Sequence, residues 1–177
     1  MSDSWKDGDK PTSYGAILGD ALALIAAAGR RDLPDGMTIP DACLTCAFRE
    51  GALPNRMGGT AKQALDCVLG IDGDRFACHH GMRDREPSRL CAGYLAAMIA
   101  PFSFVKEVLA SANRDLCAFD DAAPDPVRDD YVRWLSKIDP DGKMDVYQIA
   151  RAYALRDDVP KPISEAESVF RASRDIA

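Results

Sequence analysis

Apolar residues recur every three or four positions over most of the chain, which is the pattern of amphipathic helices. The first such stretch predicts a helix over residues 12–28, with Thr12 or Ser13 as its cap and Gly29 as its stop. A second stretch predicts a helix over residues 60–69. Alternation with a period of two is rare, so the sequence predicts a mainly α fold with little β structure.

Proline residues divide the rest of the chain into separate helical segments. A long helix is expected to begin near Pro87, with Ser88 close to its cap, and Pro101 should kink or split it. The segments 30–42 and 51–59 are rich in turn-forming residues and are predicted to be loops. Three more helices are predicted in the C-terminal part, over residues 126–138, 143–156 and 163–175.

These elements suggest three regions in a chain of 177 residues. Residues 1–11 are polar and are expected to form a mobile N-terminus. Residues 12–119 are expected to form a helical core, with a cysteine-rich metal-binding knuckle at residues 43–91 inserted between its helices. Residues 120–177 are expected to form an acidic, helical C-terminal subdomain.

Charge and composition then narrow the classes of function. The net charge of −6 argues against a nucleic-acid partner, because phosphate neutralisation needs a basic face. Asp20 and Pro101 interrupt the two longest apolar stretches, so no membrane segment is predicted. No basic segment followed by an apolar run opens the sequence, which predicts a cytoplasmic location. A protein partner is expected, and the oligomeric state stays open.

The cysteines carry the most specific chemical signal in the chain. There are six, and five of them fall within residues 43–91. A tetrahedral metal centre needs four donors that lie close together, and a C-x2-C pair in a tight turn directs two thiolates at one ion. The spacing C-x2-C-x31-C-x12-C therefore predicts a metal site. Its predicted ligands are Cys43, Cys46, Cys78 and Cys91.

The identity of the metal and the status of the neighbouring donors stay open at this point. Four thiolates suit a structural Zn²⁺ or a [4Fe-4S] cluster. The long first gap and the single third and fourth ligands are more typical of a cluster, because zinc knuckles usually carry a second C-x2-C or H-x3-5-H pair. His79 or His80 could replace one of the cysteines. Cys67 fits the apolar face of its helix, and Cys117 has similar neighbours, so both are expected to be buried core residues. Ligation by Cys67 stays open as the alternative.

A locally basic segment flanks the third and fourth predicted ligands. Cationic neighbours lower the pKa of a thiol and offset the negative charge of a tetrathiolate centre. The same residues could instead form a solvated loop, or a surface that binds a partner. They are Arg75, Arg83, Arg85 and Arg89.

Three short motifs within residues 43–94 resemble those of a group of small bacterial and phage proteins of unassigned function. The group's pattern is C-x2-C-P-[YW]-R, then F-x-C-H, then C-A-G-[WY], and the resemblance implies that the four predicted ligands and His79 are its recurring residues. This chain departs by having Ala47 in place of proline and a second histidine, His80. Residues 144–153 are also similar to the start of a helical module of phage proteins. Together the likenesses imply a phage or prophage origin, without implying a reaction.

Three hypotheses of function follow. The first is a metal-stabilised accessory or interaction factor without catalytic activity, since the sequence has no P-loop, G-x-G-x-x-G or G-x-S-x-G motif. The second is an iron–sulfur redox or sensor protein whose arginines contact a partner or DNA. The third is a thiol enzyme in which His79 or His80 activates Cys78.

Overall fold

The computed structural model describes residues 10–71, 73, 75–78, 82–83, 86–87 and 89–158. The described part is mainly α, as the sequence predicts, and its β structure consists of one short antiparallel pair and isolated bridges. The paired strands are β1 (Met82–Arg83) and β2 (Glu86–Pro87). The helices are α1 (Ser13–Arg31), α2 (Leu53–Arg56), α3 (Gly58–Leu69), α4 (Ala92–Ile99), α5 (Phe102–Ala118), α6 (Pro126–Ile138) and α7 (Val146–Ala154).

Helix α1 starts where the sequence predicts and ends later. The Thr12 side chain caps it, with Oγ1 accepting a hydrogen bond of 3.0 Å from the Gly15 N–H. Gly29 does not stop the helix, which continues to Arg31, so this prediction is wrong. Gly29 is needed for packing instead, because a Cβ atom there would lie 1.7 Å from the Ala96 carbonyl oxygen of α4.

The same close approach recurs at the other end of α1. A Cβ atom on Gly19 would lie 1.9 Å from the Asn55 carbonyl oxygen, and one on Gly15 would lie 2.0 Å from that of Arg56. Helix α1 therefore meets the main chain of α2 at one end and that of α4 at the other. It packs against α2, α3, α4 and α5, and its Leu22 and Ile25 side chains are fully buried.

A buried amide fixes the approach of α1 and α2. The Asn55 side chain is inaccessible to solvent, and its Nδ2 donates hydrogen bonds to the carbonyl oxygens of Gly19 (2.7 Å) and Ala47 (2.8 Å). Ala47 directly follows the C-x2-C pair. One side chain therefore joins the central helix to the loop that carries two of the predicted ligands.

Two predicted boundaries differ from the observed ones. The segment 51–59 is not a plain loop, because it contains α2 and the start of α3. The helix expected from Pro87 begins only at Ala92, since Pro87 belongs to β2 and Cys91 is the N-cap. Pro101 splits the predicted long helix as expected, and α4 and α5 are bent by 109° relative to each other.

None of the helices in the described ranges is by itself long and apolar enough to span a membrane. Helices α4 and α5 pass that test only when taken together, across their bend.

Helices α6 and α7 form a second apolar cluster. Helix α6 has the predicted bounds, α7 is shorter than predicted, and the helix expected over 163–175 lies outside the described residues. The cluster includes side chains of α2, which connects the C-terminal helices to the rest of the fold. Its buried members are Leu53, Met57, Tyr131, Ile149, Ala150 and Tyr153.

The N-terminal boundary also involves this region. Residues 1–9 of the expected mobile segment lie outside the described residues, but Pro11 is buried and forms a bridge with Met57. Close by, the Asp125 carboxylate accepts hydrogen bonds from the Ser13 N–H (2.9 Å) and hydroxyl (2.9 Å). Burial raises the pKa of Asp125, but hydrogen bonds from main-chain N–H groups at the start of α6 and from Ser13 lower it overall. The hydrogen bonds from Ser13 link the start of α1 to the start of α6.

The glycine contacts of α1 generate a stability prediction. Gly19→Ala should lower the free energy of unfolding by at least about 2 kcal/mol, because the added methyl group displaces the α2 main chain. Gly59→Ala is the control: Gly59 lies exposed in the first turn of α3, where alanine should be neutral or stabilising by up to about 1 kcal/mol. Urea denaturation measures both. Equal stability of the two variants would contradict the close approach.

Candidate metal centre

The C-x2-C pair lies in a tight turn, as its spacing predicts. The Cys46 N–H donates to the Cys43 carbonyl oxygen (3.2 Å), and the Cys46 carbonyl accepts from the Arg49 N–H (3.0 Å). Cys46 is buried with 2% exposure, whereas Cys43 is half-buried. The turn brings the two thiols within hydrogen-bonding distance of each other.

The third and fourth predicted ligands, Cys78 and Cys91, lie on two extended segments that are joined by an antiparallel bridge. The Cys78 N–H donates to the Arg89 carbonyl oxygen (3.0 Å), and the Cys91 N–H donates to the Phe76 carbonyl oxygen (3.0 Å). This antiparallel pairing brings Cys78 and Cys91 together, although twelve residues lie between them in the sequence. Cys91 is the N-cap of α4, close to the position in the first turn that the sequence predicts.

The fold brings all four predicted cysteine ligands to one cavity. The sulfur atoms of Cys46 and Cys91 lie 3.4 Å apart, and Cys43 and Cys78 line the same cavity of about 250 Å³. Its remaining lining residues are Pro40, Asp41, Arg89, Leu90, Ala92 and Leu95.

A glycine makes the close approach of the two halves possible. A Cβ atom on Gly93 would lie 2.4 Å from the Phe48 Cβ and 3.0 Å from the Cys46 Sγ. The first turn of α4 therefore rests directly on the loop that follows the C-x2-C pair. Phe48 also packs edge-on against Phe76, with ring centroids 5.5 Å apart.

The Cys46 and Cys91 thiols are within hydrogen-bonding distance, and the pKa values of the two groups are shifted in opposite directions. The hydrogen bond from the Cys46 thiol lowers the pKa of Cys91 to about 7, and the backbone N–H groups of Tyr94 and Gly93 act in the same direction against burial. Hydrogen bonds with Cys43 and Cys91, together with burial, raise the pKa of Cys46 far above its usual range. Near neutral pH the pair therefore favours a Cys91 thiolate that accepts from the Cys46 thiol.

The four thiols are donors that suit a thiophilic metal, although they are not arranged around a single point. Zn–S bonds of ~2.3 Å place the sulfurs of a tetrahedral site about 3.8 Å apart, close to the spacing of Cys46 and Cys91. Within the described ranges, no three His, Cys, Asp or Glu side chains form a group that could hold an ion as they stand. Binding would therefore draw the remaining thiols toward this pair.

The other predicted site residues have different outcomes. His79, His80 and Arg85 lie outside the described residues, so neither the histidine ligand nor the thiol-enzyme hypothesis is tested. Arg75 and Arg89 are exposed, and Arg89 also lines the cavity. Arg83 is described only as part of β1.

One of the two cysteines expected in the core is there. Cys67 is buried in the main apolar cluster, as predicted. Cys117 is exposed, so the prediction for it is wrong. The buried face of α5 runs through Val108 and Ala112 to the partly buried Leu116, and Cys117 lies one residue beyond that face.

Sequence reasoning missed two contributors to the site. Asp41 lines the cavity, and its position two residues before Cys43 was the only available signal. Gly93 stands in the C-A-G motif, but only the observed packing shows why a side chain there would displace Cys46.

Comparison with known proteins adds no relative: no family model, curated protein or solved structure matches this chain. The resemblance to small bacterial and phage proteins therefore stays a prediction.

Cysteine substitutions test the ligand set. Cys43→Ser and Cys91→Ser should each lower the affinity for zinc by at least about tenfold, because each removes one of four thiolate donors. Cys117→Ser should leave zinc binding unchanged, since Cys117 lies outside the cavity. Zinc titration of the reduced protein measures the three affinities. Unchanged binding in both of the first two variants would exclude the assignment.

Proposed function

We propose that this chain is a small metal-binding protein in which Cys43, Cys46, Cys78 and Cys91 hold one structural Zn²⁺, and that it acts as an interaction factor without catalytic activity. The observation that carries the proposal is the convergence of four cysteines, from three separate segments, on one cavity. Chance clustering of buried apolar cysteines does not account for this, because Cys43 is only half-buried.

The spacing of the sulfurs favours a single ion over a cluster. Cysteines around one tetrahedral ion bring their sulfurs into near contact, whereas the iron and sulfide atoms of a cluster hold them further apart. The separation of 3.4 Å between Cys46 and Cys91 is of the first kind. Bound zinc would supply a fixed crosslink between the C-x2-C loop and the start of α4.

An iron–sulfur redox or sensor protein is the second candidate, and the size of the cavity favours it. A volume of about 250 Å³ is several times the ~30 Å³ share of a water molecule in the liquid. A cluster would require the sulfur atoms of Cys46 and Cys91 to move apart from 3.4 Å, whereas a single zinc ion would require little movement.

The cavity supports a structural role for the metal more than an enzymatic one. Among its described lining residues, the groups that could take part in acid–base or nucleophilic chemistry are the four thiols and the Asp41 carboxylate. Exposed Arg75 and Arg89 supply positive charge beside the site in an acidic protein. We propose that they contact an acidic surface of a protein partner, and that the protein is phage- or prophage-encoded, as its motifs imply.

Elemental analysis of protein purified without oxygen tests the metal. One zinc per chain is expected, in a sample without visible absorbance. Several irons per chain, with absorbance that bleaches in air, would support the cluster instead. Protein that retains no metal and binds neither metal in titration would contradict both candidates.

Removal of the metal should destabilise the fold without abolishing it. The packing of α1 against α2 and α4 does not involve the metal, so the helices should persist in chelator, whereas the melting temperature should fall. A ligand present at 1,000 times its dissociation constant contributes about 4 kcal/mol, which sets the scale of the loss. Thermal unfolding by circular dichroism, before and after zinc is restored, measures it. Cys43→Ser is the matched control and should recover less than the unsubstituted protein at the same zinc concentration.

A further inference from the structure

The sulfur atoms of Cys46 and Cys91 are in van der Waals contact at 3.4 Å. We propose that these two residues form a dithiol site that hydroperoxides oxidise to a disulfide, and that this disulfide releases the metal from the centre. The first step requires no metal. The second rests on the proposed function, since only a loaded centre has metal to release.

The main chain holds both residues in position for this bond. The Cys46 N–H and the Cys91 N–H are each engaged in a backbone hydrogen bond, to Cys43 and Phe76 respectively. An S–S bond of ~2.05 Å requires the sulfurs to approach by about 1.4 Å, a distance that side-chain rotation can supply. The missing side chain at Gly93 leaves Cys46 free to make this movement toward α4.

Small oxidants can reach the pair although both residues are buried. Cys46 and Cys91 are 2% and 6% exposed, but their side chains line the cavity of about 250 Å³. Hydrogen peroxide needs little more room than a water molecule, whose share of the liquid is ~30 Å³. The site should therefore select small peroxides over bulky disulfide reagents such as oxidised glutathione.

The reaction balances with the hydroperoxide as the only oxidant. The Cys91 sulfur attacks one peroxide oxygen, the O–O bond breaks, and the leaving oxygen takes a proton, which produces a sulfenic acid and an alcohol or water. The Cys46 sulfur then attacks the sulfenic sulfur, the S–S bond forms and water leaves with the Cys46 proton. Two thiols lose two electrons in total, and the peroxide gains them.

The product cannot serve as a metal centre. Thiolates are the metal ligands, and a disulfide has none of their negative charge. Oxidation of Cys46 and Cys91 leaves Cys43 and Cys78 as the remaining cysteine donors among the described lining residues. Two donors do not complete a tetrahedral site, so bound zinc should dissociate as the disulfide forms.

The experiment treats the full chain with one equivalent of hydrogen peroxide and maps the products by mass spectrometry. A Cys117→Ser background removes the exposed thiol that could join two molecules. We expect the loss of two hydrogen atoms, a crosslinked peptide pair containing Cys46 and Cys91, and full reversal by dithiothreitol. Cys43→Ser is the matched control and should form the same crosslink, whereas Cys46→Ser should accumulate a sulfenic acid at Cys91 that dimedone traps.

Each alternative result has a definite meaning. A Cys43–Cys46 crosslink, or no crosslink in the unsubstituted pair, would overturn the dithiol site whatever the behaviour of the Cys46→Ser variant. The zinc-loaded protein, followed with a chromogenic zinc indicator, should release one zinc per disulfide formed. A disulfide without zinc release would overturn the regulatory step alone. A disulfide in a protein that binds no zinc would contradict the proposed function while leaving the dithiol site standing.

Discussion

Direct contact between main chains along α1 is the constraint on which the other helices depend. At Gly19 the α2 backbone, and at Gly29 the α4 backbone, comes so close that no side chain fits between them. Packing at this distance fixes both position and angle, because a helix that touches at its backbone cannot slide on a layer of adaptable side chains. The positions of α2 and α4 are thus set by their contacts with α1.

The geometry of the cysteine centre depends on these contacts with α1. Asn55 bonds to Gly19 of α1 and to Ala47, and so ties the C-x2-C loop to the central helix. Cys91 is placed independently, since α4 is seated on α1 at Gly29. The two halves of the site meet because both are fixed to one helix. This explains how a loop and a helix start, 45 residues apart, hold two sulfurs in contact.

Local signals were predictable from the sequence, and relations between elements were not. A capping hydroxyl at Thr12 and the prolines at the start of α6 and between α4 and α5 act within a few residues, so their consequences were correctly predicted. The role of Gly29 depends on its contact with Ala96, more than 60 residues away, whereas the local sequence pattern predicted a helix stop there. For the same reason, the spacing of the cysteines predicted a common site but did not predict the contact at Gly93. The structure places the four cysteines on one cavity, and the missing side chain of Gly93 allows its two sides to approach.

The layout of contacts along α1 also has a consequence for synthesis on the ribosome. Helix α1 is synthesised before its partners α4 and α5, which end at Ile99 and Ala118. At about 5–20 residues per second, the apolar surface of α1 waits several seconds before these partners leave the exit tunnel. During that interval the nascent chain presents an uncovered helix to its surroundings. Chaperones that bind short apolar segments would therefore find α1 uncovered during this interval.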